Sequence, residues 1–153
     1  MKMARKGNWL GILAIVLVFG ITVMGCGTLF GAKPPTTFQR GSGGDTTILL
    51  RPGLDFNLAF REVAFILNRH GFDNEVIQPE VGFIRTRWRN IVIGRDANAE
   101  LYRVRAVLNF NPARTQLIVK VEGEWYEDGR WIQGWDTRQT EDLRNDLNMV
   151  IGN

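Results

Sequence analysis

Serine, cysteine and histidine, the side chains that most often carry covalent chemistry, occur once each in the 153 residues, as Ser42, Cys26 and His70. Ser42 lies in the glycine-rich stretch Gly41-Ser42-Gly43-Gly44, outside the patterned part of the chain. One imidazole and one thiol fall far short of the three or four ligands of a zinc-type centre, so neither a metal nor a cofactor is expected. His70 stands before Gly71 where a helix should end, and a surface cation suits that end of the helix dipole. Glu122 and Glu124 are two apart in a strand-like stretch, hence on one side of it, the arrangement of an acid-base pair. Lys120 and the arginines of neighbouring strands are expected to engage both as ion-pair partners. No glycine-rich phosphate loop precedes a helix. The expectation is a protein without catalytic residues.

Cys26 has a more specific setting. Lys2, Arg5 and Lys6 form a basic start with no acidic residue, Trp9 to Met24 is uncharged and mostly aliphatic, and Val23-Met24-Gly25-Cys26 follows. This is a secretory signal layout. The stretch resembles the signal peptide of bacterial lipoproteins, whose lipobox ends in a small residue and the cysteine that receives the lipid. The resemblance implies that residues 1–25 are removed and that Cys26 becomes the lipidated first residue. The chemistry suits the residue types, since a thiol is the nucleophile that takes a diacylglyceryl group and Gly25 leaves room for a peptidase. An uncleaved membrane anchor would need about 20 apolar residues, and this run is at the short end. Gly27 replaces the Asp that holds enteric lipoproteins at the inner membrane, which points to the outer membrane of a bacterial envelope.

Removing the signal changes the charge balance. Three of the 19 basic residues and none of the 16 acidic ones precede Cys26, so the remainder is formally neutral. The basic character of the whole chain therefore does not argue for nucleic acid, which needs a net basic face. Residues 26–45 comprise the lipidated cysteine and a Gly-, Pro- and Thr-punctuated stretch that reads as a flexible tether with an r.m.s. span of about 25 Å. Residues 46–153 suffice for a single domain with its own core.

Within that domain Thr46 to Arg51 reads as a strand stopped by Pro52-Gly53. Asp55 is placed to cap a helix from Phe56 to Arg69, in which Phe56, Phe60, Val63 and Leu67 recur at helical spacing. A weak strand at Val76-Ile77, a turn at Glu80-Gly82, a strand from Phe83 to Arg89, a loop from Asn90 to Leu101 and a strand from Tyr102 to Phe110 follow. Gln116 to Glu127 and Trp131 to Trp135 flank Asp128-Gly129, a strong two-residue hairpin signal. Arg138 to Ile151 completes the chain as a second helix, with Asp136 and Gln139 spaced as a capping box. The fold class expected is α+β, a two-layer sandwich. An antiparallel meander sheet carries two helices on one face, one after the first strand and one C-terminal. The segment from the helix ending "RHGF" to "GFIRTRW" is similar to single modules of the outer-membrane-assembly lipoprotein BamC and related envelope lipoproteins. That resemblance implies a binding or assembly role without chemistry.

Strand alternation then divides the sheet into two faces. Ile84, Thr86, Trp88, Tyr102, Val104, Ala106, Leu108, Phe110, Leu117, Val119, Val121 and Trp125 are expected to meet the helices. Phe83, Arg85, Arg87, Arg89, Arg103, Arg105, Lys120, Glu122, Glu124 and Tyr126 then point away, with Trp131 opposite Tyr126, Gln133 opposite Glu124 and Trp135 opposite Glu122. Arg85, Arg87, Arg103, Arg105, Tyr126, Trp131 and Trp135 are the candidate partner-binding residues, because Arg, Trp and Tyr are enriched at interface hot spots. Two readings of that face follow. It docks an envelope protein, or it recognises an anionic glycan or lipid headgroup; ordinary cross-strand covering would produce the same composition. A groove would favour the ligand and a flat surface the protein.

Overall fold

A computed structural model describes residues 35–93 and 100–153. Residues 1–25 and Cys26 lie outside the described residues. The fold is α+β: one antiparallel sheet of eight strands with two helices. The strands are β1 (Phe38–Arg40), β2 (Thr46–Leu49), β3 (Asn74–Gln78), β4 (Phe83–Thr86), β5 (Arg89–Ile93), β6 (Glu100–Phe110), β7 (Gln116–Glu127) and β8 (Arg130–Asp136). The helices are α1 (Phe56–Arg69) and α2 (Thr137–Ile151).

The two long central strands organise everything else. β6 and β7 pair from Tyr102↔Trp125 to Phe110↔Leu117. Short strands share their outer edges end to end, β5 and β4 along β6, β8 and β2 along β7. Where β8 gives way to β2, the N–H of Val121 donates to Thr140 Oγ at 3.1 Å, so the join is closed from α2. The β7–β8 hairpin turns through Asp128 and Gly129 at φ 50° and 80°, the two positive angles of a type I′ turn.

Both helices begin and end on local chemistry. Asp55 accepts from Leu58 N at 2.8 Å, and α1 closes through Gly71 at φ 75° with Phe72 N bonded to Leu67 O and Gly71 N to Asn68 O. That double bond pattern is a Schellman cap. Asp136 caps α2 by accepting from Gln139 N at 2.8 Å. The side chain of Gln139 does not return to the cap backbone as a capping box requires; its Oε1 accepts from Arg89. Ala59, Phe60, Val63, Ile66 and Leu67 of α1 and Leu143, Leu147 and Ile151 of α2 bury their faces on Ile84, Tyr102, Val104, Ala106, Leu108, Phe110, Leu117, Val119, Val121 and Trp125. The inward set is thus as the alternation predicts, with one exception.

The exception is Trp88. Between Arg85↔Val107 and Arg89↔Val104 the register against β6 shifts by one, so Thr86, Arg87 and Trp88 oppose only Ala106 and Arg105. The extra residue is a β-bulge, and it inverts the side-chain parity that follows. Trp88 turns to the outward face, where Arg105 stacks on it. Arg89, expected outward, turns inward over the Phe72 ring at 4.5 Å. Residues 90–93, expected in a loop, continue from Arg89 as β5 because this bulge restores pairing to β6.

A second difference lies before residue 46. Phe38–Arg40, within the stretch read as a tether, pairs with Asp136–Gly134 as β1. Its anchor is Phe38, 6% exposed, packed edge-on to Tyr102 at 5.7 Å. The receiving surface is a cross-strand glycine pair, Gly123↔Gly134. A Cβ on Gly134 would lie 2.5 Å from Phe38 Cε2, and one on Gly123 3.1 Å from Phe38 Cδ2. A three-residue strand with one apolar side chain has no periodicity to announce it, since its partner surface is assembled from residues about a hundred positions away.

Candidate functional site: the outward face of the sheet

Alternation on β6, β7 and β8 brings Arg103, Glu124 and Gln133 into one cross-strand row and Arg105, Glu122 and Trp135 into the next. Arg103 Nε donates to Glu124 Oε2 at 2.7 Å, and Arg105 Nε to Glu122 Oε2 at 2.7 Å. Glu124 is 8% exposed, and Arg103 is the cation that meets it there, so removing Arg103 would leave a buried carboxylate without its partner. Each carboxylate of the Glu122/Glu124 pair is therefore committed to an arginine.

The aromatic rings are committed as well. Arg103 lies between two indoles, 4.8 Å from the Trp88 ring and 4.0 Å from that of Trp131, and Arg105 lies 4.4 Å from Trp88. Tyr126 closes the row edge-on to Trp131 at 5.2 Å. The result is a continuous stack of guanidinium and aromatic planes, each contact contributing about 0.5 to 2 kcal/mol according to its exposure. Trp135 is covered differently: the backbone of Gly43 and Gly44, at φ 154° and 79°, passes directly over its indole. A Cβ on Gly44 would fall 2.1 Å from Trp135 Cδ1. Glycine is required there by both the angle and the approach.

Of the candidate partner-binding residues, Arg103, Arg105, Tyr126, Trp131 and Trp135 share one face. Arg85 joins it through the Val107 pairing and meets Glu75 at 3.3 Å. Arg87 does not join the stack; it is the exposed residue of the bulge, tied to the fold by its backbone N–H to Asp73 O at 2.8 Å.

The face is not flat. Gly41 and Ser42, running from β1 towards β2, raise a wall beside it, and with Trp88, Arg105, Lys120, Glu122 and Gln133 they enclose a depression of about 370 Å³. Gly41 is fastened by its N–H to Gln133 O at 3.1 Å. The Lys120 ammonium has its nearest carboxylate among the described residues, Asp45, at 3.9 Å, and its side chain is only 22% exposed. It is the least satisfied charge of the depression. Sequence reasoning missed Trp88, because the bulge that turns it outward leaves no mark in the residue pattern. It also missed the Gly41-Ser42 wall, because that stretch has the composition of a linker.

Beneath the inward face a polar cluster ties the domain together. Asp136, 2% exposed, accepts from Tyr102 Oη at 2.8 Å and Thr37 Oγ at 3.1 Å besides capping α2. Burial, reinforced by this hydrogen bond to a carboxylate, pushes the Tyr102 phenol well above its ordinary range. Arg89 donates to His70 O at 2.6 Å and to Gln139. Burial lowers its affinity for the proton, and the field of Asp136 partly offsets this. All of these groups bond to one another or to backbone, the pattern of a structural network.

No helix among the described residues is long and apolar enough to cross a membrane, and no group of His, Cys, Asp and Glu among them has the geometry to hold a metal ion. In comparisons with known proteins, no family model and no curated protein matches the chain.

Proposed function

We propose that the chain is a membrane-anchored envelope lipoprotein that acts as a non-catalytic binding module, with the depression on its outward sheet face as the binding site. The anchor rests on Val23-Met24-Gly25-Cys26 after a basic start and an apolar run. The module rests on one observation: the outward face is hollowed by the Gly41-Ser42 wall into a depression that holds an incompletely paired ammonium, Lys120, beside the rim of Arg105. A hollow of that size with a few convergent polar groups suits a small ligand. Lys120 and Arg105 supply cationic donors, while Gln133 and Ser42 supply partners for hydroxyl and amide groups. That is the chemistry of an anionic glycan or headgroup.

The test is a titration of the protein with an anionic glycan fragment and, separately, with micelles of an anionic phospholipid. Lys120→Ala should weaken binding by about 1 to 2 kcal/mol while leaving the denaturation midpoint in place. Unchanged binding by that variant overturns the assignment of the depression. Docking of an envelope protein is the second reading, and it is favoured by the exposed apolar residues Leu101, Ile118 and Tyr126 on the same face. In that case capture of a protein from native membranes would fail on Tyr126→Ala and survive Lys120→Ala.

A further inference from the structure

A second hollow opens at the end of the sheet, where the turns Pro79–Gly82 and Asn111–Arg114 face each other above the start of α1. It measures about 320 Å³ and is lined by Phe56, Phe110, Val81 and Pro112, with Glu80 and Arg114 on its rim. Phe56 and Phe110 meet edge-on at 5.2 Å and supply the apolar floor.

Both walls are built rather than loose. Gly82, at φ 71°, passes so near Phe110 that a Cβ on it would lie 2.8 Å from Phe110 Cβ, and its carbonyl accepts from Phe110 N at 2.8 Å. On the other side Asn111 Oδ1 accepts from Thr115 N at 2.8 Å and Gln116 N at 3.0 Å, and Asn111 O accepts from Arg114 N at 2.8 Å. This holds Arg114 at φ 55°, a left-handed conformation that an arginine adopts at a cost. Its guanidinium carbon lies over the Phe56 ring, 3.8 Å from the centroid. Among the described residues no carboxylate forms an ion pair with Arg114, and Glu80 across the rim has no cationic partner either. Val81, 60% exposed, completes an apolar lip.

We propose that this hollow binds the C-terminal residue of a polypeptide whose last side chain is apolar. Three groups that line this one hollow are matched to a single residue. The planar guanidinium of Arg114 faces the terminal carboxylate, a geometry that favours bidentate pairing. The carboxylate of Glu80 accepts the amide N–H of the same residue. The Phe56 and Phe110 rings take the apolar side chain, about 25 cal/mol per Å² of apolar surface removed from water. A single-chain fatty acid satisfies two of the three and leaves its anionic head facing Glu80 with nothing to donate to it. The site is independent of the outward depression and does not require the proposed function.

The test uses the isotopically labelled full chain in detergent and follows backbone amide signals by nuclear magnetic resonance. The probes are acetyl-Ala-Ala-Leu with a free carboxylate, the same peptide amidated, and decanoate. The free-acid peptide should shift Gly82, Phe110 and Arg114 saturably. Amidation, or Arg114→Gln in the protein, should weaken the affinity about tenfold or more, the loss of roughly one charge-assisted hydrogen bond. Arg114→Gln leaves a non-glycine residue at the same backbone angle, so its fold serves as a valid control. Equal binding of the amidated peptide, tighter binding of decanoate, or shifts confined to Lys120 and Gly123 would each overturn the proposal. The last of these outcomes would assign the peptide to the outward depression.

Discussion

The phenol of Tyr102 donates to the carboxylate of Asp136 at 2.8 Å, and both groups are closed off from water at 2% exposure. Around that bond three elements meet: Asp136 ends β8, caps α2 and accepts from Thr37 next to β1. Asp136→Ala removes the cap and leaves the phenol and the first-turn N–H of Gln139 without partners. The expected loss is about 2 to 4 kcal/mol, read as a lower urea midpoint. Tyr102→Phe keeps the cap and should cost about half as much. Because the folded-state affinity of Tyr102 for its proton is raised above the ordinary 10.0, the stability it contributes is fully present below pH 10 and falls as pH climbs above that value. In a Tyr126→Phe protein the phenolate absorbance should therefore rise only together with alkaline unfolding, and a titration near pH 10 in the folded protein would contradict the buried bond.

Phe38→Ala empties the socket over Gly123 and Gly134. Loss of the ring and the cavity left behind predict about 3 to 4 kcal/mol of destabilisation. The three hydrogen-bonded positions of β1 then have little left to hold them. Limited proteolysis should cut the variant between residues 38 and 46 before the rest of the domain unfolds, whereas the unaltered protein should resist cleavage there.

Arg103→Ala breaks an ion pair and two stacking contacts at once, leaving Glu124 buried without its cation. That change is expected to cost about 3 kcal/mol, and Trp131→Ala about 1 to 2 kcal/mol. The double variant should cost less than the sum, since both singles dismantle the same stack. Strict additivity in a double-mutant cycle would mean that the guanidinium does not lie on the indole.

Asp146 receives Arg69 at 2.7 Å and His70 Nε2 at 2.9 Å. The hydrogen bond from Arg69, then that from His70, holds its carboxyl below the ordinary 3.8. A lowered folded-state value means stabilisation that is complete above pH 3.8 and lost as the pH falls below it. The dependence of unfolding free energy on pH between 5 and 2 should be shallower in Asp146→Asn than in the parent protein.

Several features were legible in the residues alone because their causes are local. The helix from Phe56 to Arg69 follows from the 3.6-residue apolar spacing, Asp55 before it and His70-Gly71 after it. The hairpin at Asp128-Gly129 follows from the need for two positive φ angles, and it sets the Tyr126–Trp131 and Glu122–Trp135 rows by counting. The α+β class and the membership of most of the outward face came with those. Features that depend on where distant segments meet were not legible. Trp88 and Arg89 exchanged faces because one unpaired residue entered the ladder at Arg87, and a bulge is a property of two strands together. The stretch from Phe38 to Gly44 has the composition of a linker, yet it is a strand and a wall, because Phe38 finds a glycine pair and Gly44 an indole contributed by β7 and β8. The depression with Lys120 in it exists only when that wall stands. Periodicity and turn chemistry act over a few residues and can be read from the chain. Parity after a bulge, the filling of a socket and the hollowing of a surface are decided by long-range packing.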